Sequence, residues 1–316
     1  PQFQPKARPL DIYLPIAEVS VNWPLLMLLG AVVGFVSGLF GIGGGFLMAP
    51  ILIFLGIPPS VAVASQASHV VASSTSGVIS YTSQKAVDYR IGGVMAGGGV
   101  LGALLGVELF RYLRLLGQAD LAVALSYLIF LGAIGTLMLY ESLGQILRRV
   151  RGEVATHRER RRPLWLYGLP LRMRFPRSGL YISAIPPFAL GAFAGVLSAI
   201  MGVGGGFILV PAMLYVLRMK AGVVVGTSLF QIIITTAMTT ILQAGRNQTV
   251  DIVLSTILLL GGVVGAQYGA RWSGRFRAEE LRAVLGLIVL LVGIQMGLEL
   301  FVRPSELFGF APGVAE

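Results

Sequence analysis

Apolar stretches recur along the chain at 22–40, 61–83, 91–110, 119–141, 182–200, 221–243, 249–270 and 280–302. Each is close to the ~20 residues that a helix needs to cross a bilayer. Two shorter stretches, 46–57 and 207–217, separate the first from the second and the fifth from the sixth. The pattern predicts five helical segments in each half. A 12-residue segment spans only about 18 Å, so each short segment shares its crossing with the turn before it.

The halves also share sequence. Residues 30–50 return at 191–211, with ten of 21 positions identical: Gly30/Gly191, Ala31/Ala192, Gly34/Gly195, Ser37/Ser198, Gly41/Gly202, Gly43/Gly204, Gly44/Gly205, Gly45/Gly206, Phe46/Phe207 and Pro50/Pro211. Further on, Val87-Asp88 matches Val250-Asp251, and the glycines at 98, 99, 102 and 106 match those at 261, 262, 265 and 269. The expected fold is an all-α polytopic membrane protein of two repeats, with helices broken at glycine-rich turns. An odd number of crossings per repeat inverts the second half. The expected divisions are a tail over 1–21, repeats over 22–141 and 182–302, a linker over 142–181 and a tail over 303–316.

Composition narrows the class. Hydrophobic residues make up 55% and charged residues 12% of the 316, against about 25% charged in a soluble chain. The absence of cysteine and the presence of only two histidines exclude thiol chemistry and a histidine metal cluster. No cofactor, metal or catalytic residue is expected, and an embedded enzyme finds no nucleophile–base pair. The net charge of +10 lies in loops, and ten of the 24 basic residues fall in 142–181. Such loops are cytoplasmic, which puts both termini outside and argues against nucleic-acid binding. The polar, Pro-rich opening does not read as a cleaved signal peptide.

Paired, interrupted hydrophobic segments point to a transporter's binding site. Irregular backbone at membrane depth must be buried in protein or line a cavity. Gly43, Gly44 and Gly45 let a ligand approach the backbone, and the helix starting near Phe46 offers unpaired N–H groups and a positive dipole end. Gly204, Gly205, Gly206 and Phe207 repeat the device, so two N-termini suit one small oxyanion. The next helix of each half adds polar side chains: Ser65, Gln66 and His69, then Thr227, Ser228 and Gln231. These are expected to donate to the anion. Ser73, Ser74, Thr235 and Thr236 are expected to join helices. His69 either titrates and couples proton to anion movement or stays a neutral donor. Asp88 and Asp251 should cap helices, and Glu108 should pair with Arg111.

The duplicated GxxxGxxSGxxGxGGGFxxxP, each copy followed by a Ser/Thr-rich helix, resembles the TauE/SafE sulfite exporter family, also called TSUP transporters. The second half starts its polar helix with the family's Thr-Ser pair at Thr227-Ser228; the first has Ser65-Gln66. The resemblance implies secondary transport of a sulfur-containing anion such as sulfite, sulfoacetate or a related sulfonate across the bacterial inner membrane, with the site on the two glycine turns. The alternatives are a proton- or Na⁺-coupled importer of a small carboxylate or other organic anion, or a passive channel.

Overall fold

The computed structural model describes residues 10–150, 170–272 and 278–302. Ten helices among them carry the fold: α1 (Trp23–Phe40), α2 (Gly45–Phe54), α3 (Pro59–Ser83), α4 (Tyr89–Leu115), α5 (Ala119–Val150), α6 (Ile185–Met201), α7 (Gly206–Tyr215), α8 (Ala221–Leu242), α9 (Ile252–Trp272) and α10 (Ala278–Val302). Five spans are long and apolar enough to cross a membrane, in α1, α4, α5, α8 and α9. The protein is a multi-pass, all-α membrane protein. Polar residues carry α5 through 142–150, past the predicted start of the linker. Residues 151–169, within the predicted linker, and all of 303–316 lie outside the described residues.

Each half opens on an antiparallel hairpin that the hydropathy pattern does not announce. The strands β1 (Asp11–Leu14) and β2 (Val19–Asn22) precede α1, and β3 (Arg172–Phe175) and β4 (Leu180–Ser183) precede α6. The two hairpins stand 161 residues apart, the spacing of the glycine motif. Strands of four residues with one buried face carry too little periodicity to be read from sequence.

The helices pair across the halves. Helix α1 packs on α9, and α6 packs on α4. Both seams are glycine-lined and parallel. A Cβ on Gly30 would lie 2.7 Å from the Leu258 carbonyl oxygen, one on Gly34 would strike Gly262, and one on Gly38 would strike Ala266. On the other seam, Gly98, Gly102 and Gly106 meet Phe188, Ala192 and Val196 in the same order. In lipid no hydrophobic drive separates helices from solvent, so close backbone approach at small residues supplies the association. Two other pairs run antiparallel. Gly226 lies on Tyr81 while Leu229 lies on Gly77, joining α3 to α8; Gly297 meets Leu128 and Gly286 meets Met138, joining α10 to α5.

Two buried aspartates tie these pairs down at their ends. Asp88 Oδ1 accepts the N–H groups of Arg90 and Ile91, and Asp251 Oδ1 accepts that of Leu254. Both are therefore helix caps, as expected. Their second oxygens reach the hairpin of the other half. Asp88 Oδ2 accepts from Ser178 N at 2.9 Å and Ser178 Oγ at 2.7 Å; Asp251 Oδ2 accepts from Ile16 N at 3.0 Å. One carboxylate thus satisfies a helix start and a hairpin tip together.

Two outcomes follow. Gly102→Val is expected to destabilise the purified protein by roughly 3 kcal/mol or more, because the new side chain meets backbone that cannot withdraw. Asp251→Ala should cost roughly 1–2 kcal/mol through the lost cap and expose the first hairpin to limited proteolysis near Ile16. Detergent-phase thermal melting and peptide mapping read both; an unchanged melting point for Gly102→Val would contradict the seam.

Candidate anion site

Helix α1 ends at Gly41, whose left-handed backbone (φ +71°) returns its N–H to Ser37 O. Gly43 and Gly44 are also left-handed (φ +85° and +70°), and α2 begins immediately after them. Gly202, Gly204 and Gly205 repeat this at the end of α6 and the start of α7, with φ of +68°, +74° and +73°. Such φ values favour glycine, which explains the first two glycines of each run; the third, Gly45 or Gly206, is helical and is kept small by the close approach of the other turn. No side chain caps the N-terminus of α2 or α7. Their first amides therefore lack intrahelical partners.

The two turns touch. A Cβ on Gly45 would lie 2.8 Å from Val203 Cα, and one on Gly206 would strike the Ile42 carbonyl. Both turns are buried, as are Phe46 and Phe207 behind them. Val70 from α3 and Ile232 from α8 lie over the contact: each is a near neighbour of both Gly43 and Gly204. Residues 23–84 and 185–217 contain no charged side chain, so the field here comes from helix ends and neutral dipoles.

Two hydroxyls beside the turns are those of Ser74 and Thr236. Ser74 Oγ lies 3.4 Å, and Thr236 Oγ1 2.6 Å, from the Cβ positions of Gly43 and Gly204. Both atoms are buried without a hydrogen-bond partner, as is Ser37 Oγ, on the residue that would abut a Cβ of Gly44. Buried polar atoms are partnered in the great majority of cases, so three unpartnered hydroxyls beside the two turns make this the candidate place for a polar ligand. Sequence reasoning assigned Ser74 and Thr236 to helix joining. The available signal was their repeat-matched position two turns beyond Ser65 and Thr227, which places them at the depth of the turns.

The other polar residues divide into three repeat-matched pairs. Gln66 Nε2 donates to Met201 O at 2.9 Å, and Ser228 Oγ donates to Gly41 O at 2.9 Å. Each satisfies a carbonyl at the broken end of the other half's first helix. Tyr127 OH adds a second bond to Met201 O at 2.7 Å; the sequence pattern did not mark this tyrosine. Ser65 Oγ accepts the Asp251 N–H and Thr227 Oγ1 accepts the Asp88 N–H, each at 2.9 Å, at the membrane ends and away from the turns. His69 and Gln231 lie against the matched seam glycines Gly262 and Gly99. His69 Nε2 is 3.2 Å from Gly30 O, and Gln231 Nε2 donates to Thr235 Oγ1 at 2.7 Å. Ser73 Oγ donates to Val70 O at 3.2 Å and weakly to Gly43 O. Gln66 Oε1, Gln231 Oε1 and His69 Nδ1 keep unpartnered atoms. Among the described residues no three His, Asp or Glu come together as a metal site.

Comparison with known proteins agrees with a transporter of this kind. Residues 26–296 match the family described as "Sulfite exporter TauE/SafE". The chain is 27% identical over 274 residues to the "Probable membrane transporter protein YjnA" of Bacillus subtilis, covering 86% of this chain and 98% of the relative. It is 30% identical over 270 residues to a "Probable membrane transporter protein" of Xylella fastidiosa, covering 84% and 91%. A third similarity, 32% over 123 residues, is to the "Sulfite exporter TauE/SafE family protein 3" of Arabidopsis thaliana, covering 38% of this chain and 26% of that one. No solved structure matches the chain. By its glycine turns and by a match over most of its length, the chain belongs to the TauE/SafE sulfite exporter family of membrane transporters.

Proposed function

We propose that the protein exports a small sulfur-containing anion, sulfite or a sulfonate, by secondary transport with alternating access, and that the anion binds where the starts of α2 and α7 meet. The observation that carries this reading is the trio of buried, unpartnered hydroxyls of Ser37, Ser74 and Thr236 around two helix N-termini. Helix starts present N–H donors and a positive dipole end, and hydroxyls donate to sulfonate or sulfite oxygens. With no lysine or arginine in the segments that form the turns, the anion is held without a fixed countercharge, which favours release. The sulfur-anion class rests on the family match and on the sulfite exporter named among the relatives.

The packing suggests the moving parts. The antiparallel crossing of α3 with α8 and of α5 with α10 supports inverted repeats, since a two-fold axis in the membrane plane runs matched helices in opposite directions. The parallel seams tie α9 to α1 and α4 to α6. The rigid units are therefore α1 with α9 and α6 with α4, each built from both halves, rather than residues 22–141 against residues 182–302. The turns and the α3–α8 crossing lie between the units. Val70 and Ile232 must part for an anion to reach the turns, so the conformation described is an occluded one. In this reading the charge bias puts the basic segment 142–181 in the cytoplasm of the bacterial cell and both termini outside.

In proteoliposomes loaded with sulfite or sulfoacetate, Gly44→Val and Gly205→Val are expected to reduce efflux to background and also to lower the melting point, because a side chain there is strained at positive φ and meets Ser37 or Ala194. Efflux at the wild-type rate in both variants would refute the site. Ser74→Ala and Thr236→Val should each raise KM about tenfold or more, the scale of a hydrogen bond to a charged group. Neither should lower the melting point, because the hydroxyl removed has no partner. Gln66→Ala is expected to lower stability by roughly 1 kcal/mol, the net value of one hydrogen bond, since Tyr127 still donates to the Met201 carbonyl.

A further inference from the structure

One end of the α4–α8 region breaks the internal symmetry. Helix α8 does not stop at Leu242 but widens into a π-helical turn over Gln243–Asn247, followed by Gln248 in the left-handed region. Single π turns of this kind occur often at functional sites. The turn is fixed on both sides. Gln243 Nε2 donates to Ala199 O at 3.0 Å, Asn247 Nδ2 donates to Gln243 Oε1, and Arg114 Nη1 donates to Asn247 O at 2.5 Å. Between this turn and the end of α4 lies a pocket of about 290 Å³ lined by Arg111, Arg114, Leu115, Arg246 and Asn247. Glu108 at its edge pairs with Arg246 and lies 3.9 Å from Arg111. The local sum is three positive charges against one negative.

The pocket lies at the head of a lipid-facing strip. Leu101, Leu105, Tyr112 and Leu115 follow one another on the Glu108 face of α4, and they are half to four-fifths exposed. At 27 residues, α4 rises about 40 Å, beyond the ~30 Å hydrocarbon core. Its last turns therefore lie at headgroup depth. Exposed leucines below and a guanidinium cluster above match the two ends of one molecule. We propose that this pocket holds the phosphate of an anionic phospholipid, with the acyl chains along the Leu101–Leu115 strip. Arginine's fork geometry fits phosphate oxygens in pairs. Arg111, long and weakly paired to Glu108, closes on the phosphate; Arg246 shares itself between the phosphate and Glu108.

The test is native mass spectrometry of the purified full chain in non-ionic detergent, with phosphatidylglycerol and phosphatidylcholine supplied in equal amounts. Wild type should retain phosphatidylglycerol preferentially. Arg111→Gln should lower that preference about fivefold, the effect of one basic residue on anionic lipid, and Arg111→Gln with Arg246→Gln should lower it further. Glu108→Gln, which frees both arginines, should raise it. Arg271→Gln, at the end of α9, should leave it unchanged. The single Arg111 and Glu108 variants keep the test valid if the double variant folds poorly. No lipid preference in wild type, or the same preference in Arg111→Gln and Glu108→Gln, would overturn the proposal. So would full displacement of the lipid by millimolar sulfate, which would make the pocket a site for soluble anions.

Discussion

A helix that stops inside a bilayer strands its last carbonyls and the first amides of whatever follows, with no water to bond them. This protein does so twice, at Gly41 and Gly202, and treats the two kinds of group differently. The carbonyls are satisfied: Ser228 reaches Gly41, while Gln66 and Tyr127 reach Met201. The amides opening α2 and α7 receive no side chain. Stabilising only the acceptor side leaves a donor-rich centre with a positive field. In the function proposed above, that imbalance is what would hold an anion in a region without a charged residue.

The same bonds knit the halves together. Every carbonyl just named is reached from the opposite half by Ser228 or Gln66, and so are the hairpin tips held by Asp88 and Asp251. The glycine seams follow the same rule, α1 to α9 and α6 to α4. Neither half can complete its own helix ends. The repeat is therefore a unit of sequence, not a unit that stands alone, and each glycine seam joins a helix of one half to a helix of the other.

Symmetry holds where the backbone must be satisfied and lapses where it need not be. Ser65 and Thr227 do one task, Gln66 and Ser228 another, with side chains of different length meeting matched needs. At the headgroup end of α4 the match is lost. The arginines there face Glu108 and the π turn of α8, whereas the matching stretch at the end of α9 has Arg271 in place of Glu108, with Arg275 and Arg277 following it in sequence. A surface exposed to lipid and headgroups is free to diverge because no buried polar group depends on it.

Much of this was legible in the chain. The hydropathy period required membrane helices, the Gly43–Gly45 and Gly204–Gly206 runs required breaks in them, and Asp88 and Asp251 announced helix starts, because all of these are set by local backbone chemistry. What the sequence could not assign was the use of each polar side chain along α3 and α8. Gln66 and Ser74 stand on one helix, both polar and both at membrane depth. Only the arrival of the Met201–Gly202 end of α6 beside α3 gives Gln66 a carbonyl, and only the approach of the Gly43 turn leaves the Ser74 hydroxyl facing it without a partner. The hairpins escaped notice for the same reason, since four-residue strands are stabilised by the distant aspartates they touch and leave no period of their own. Local geometry is written in neighbouring residues; the division between a joining bond and a binding group depends on which distant backbone arrives beside it.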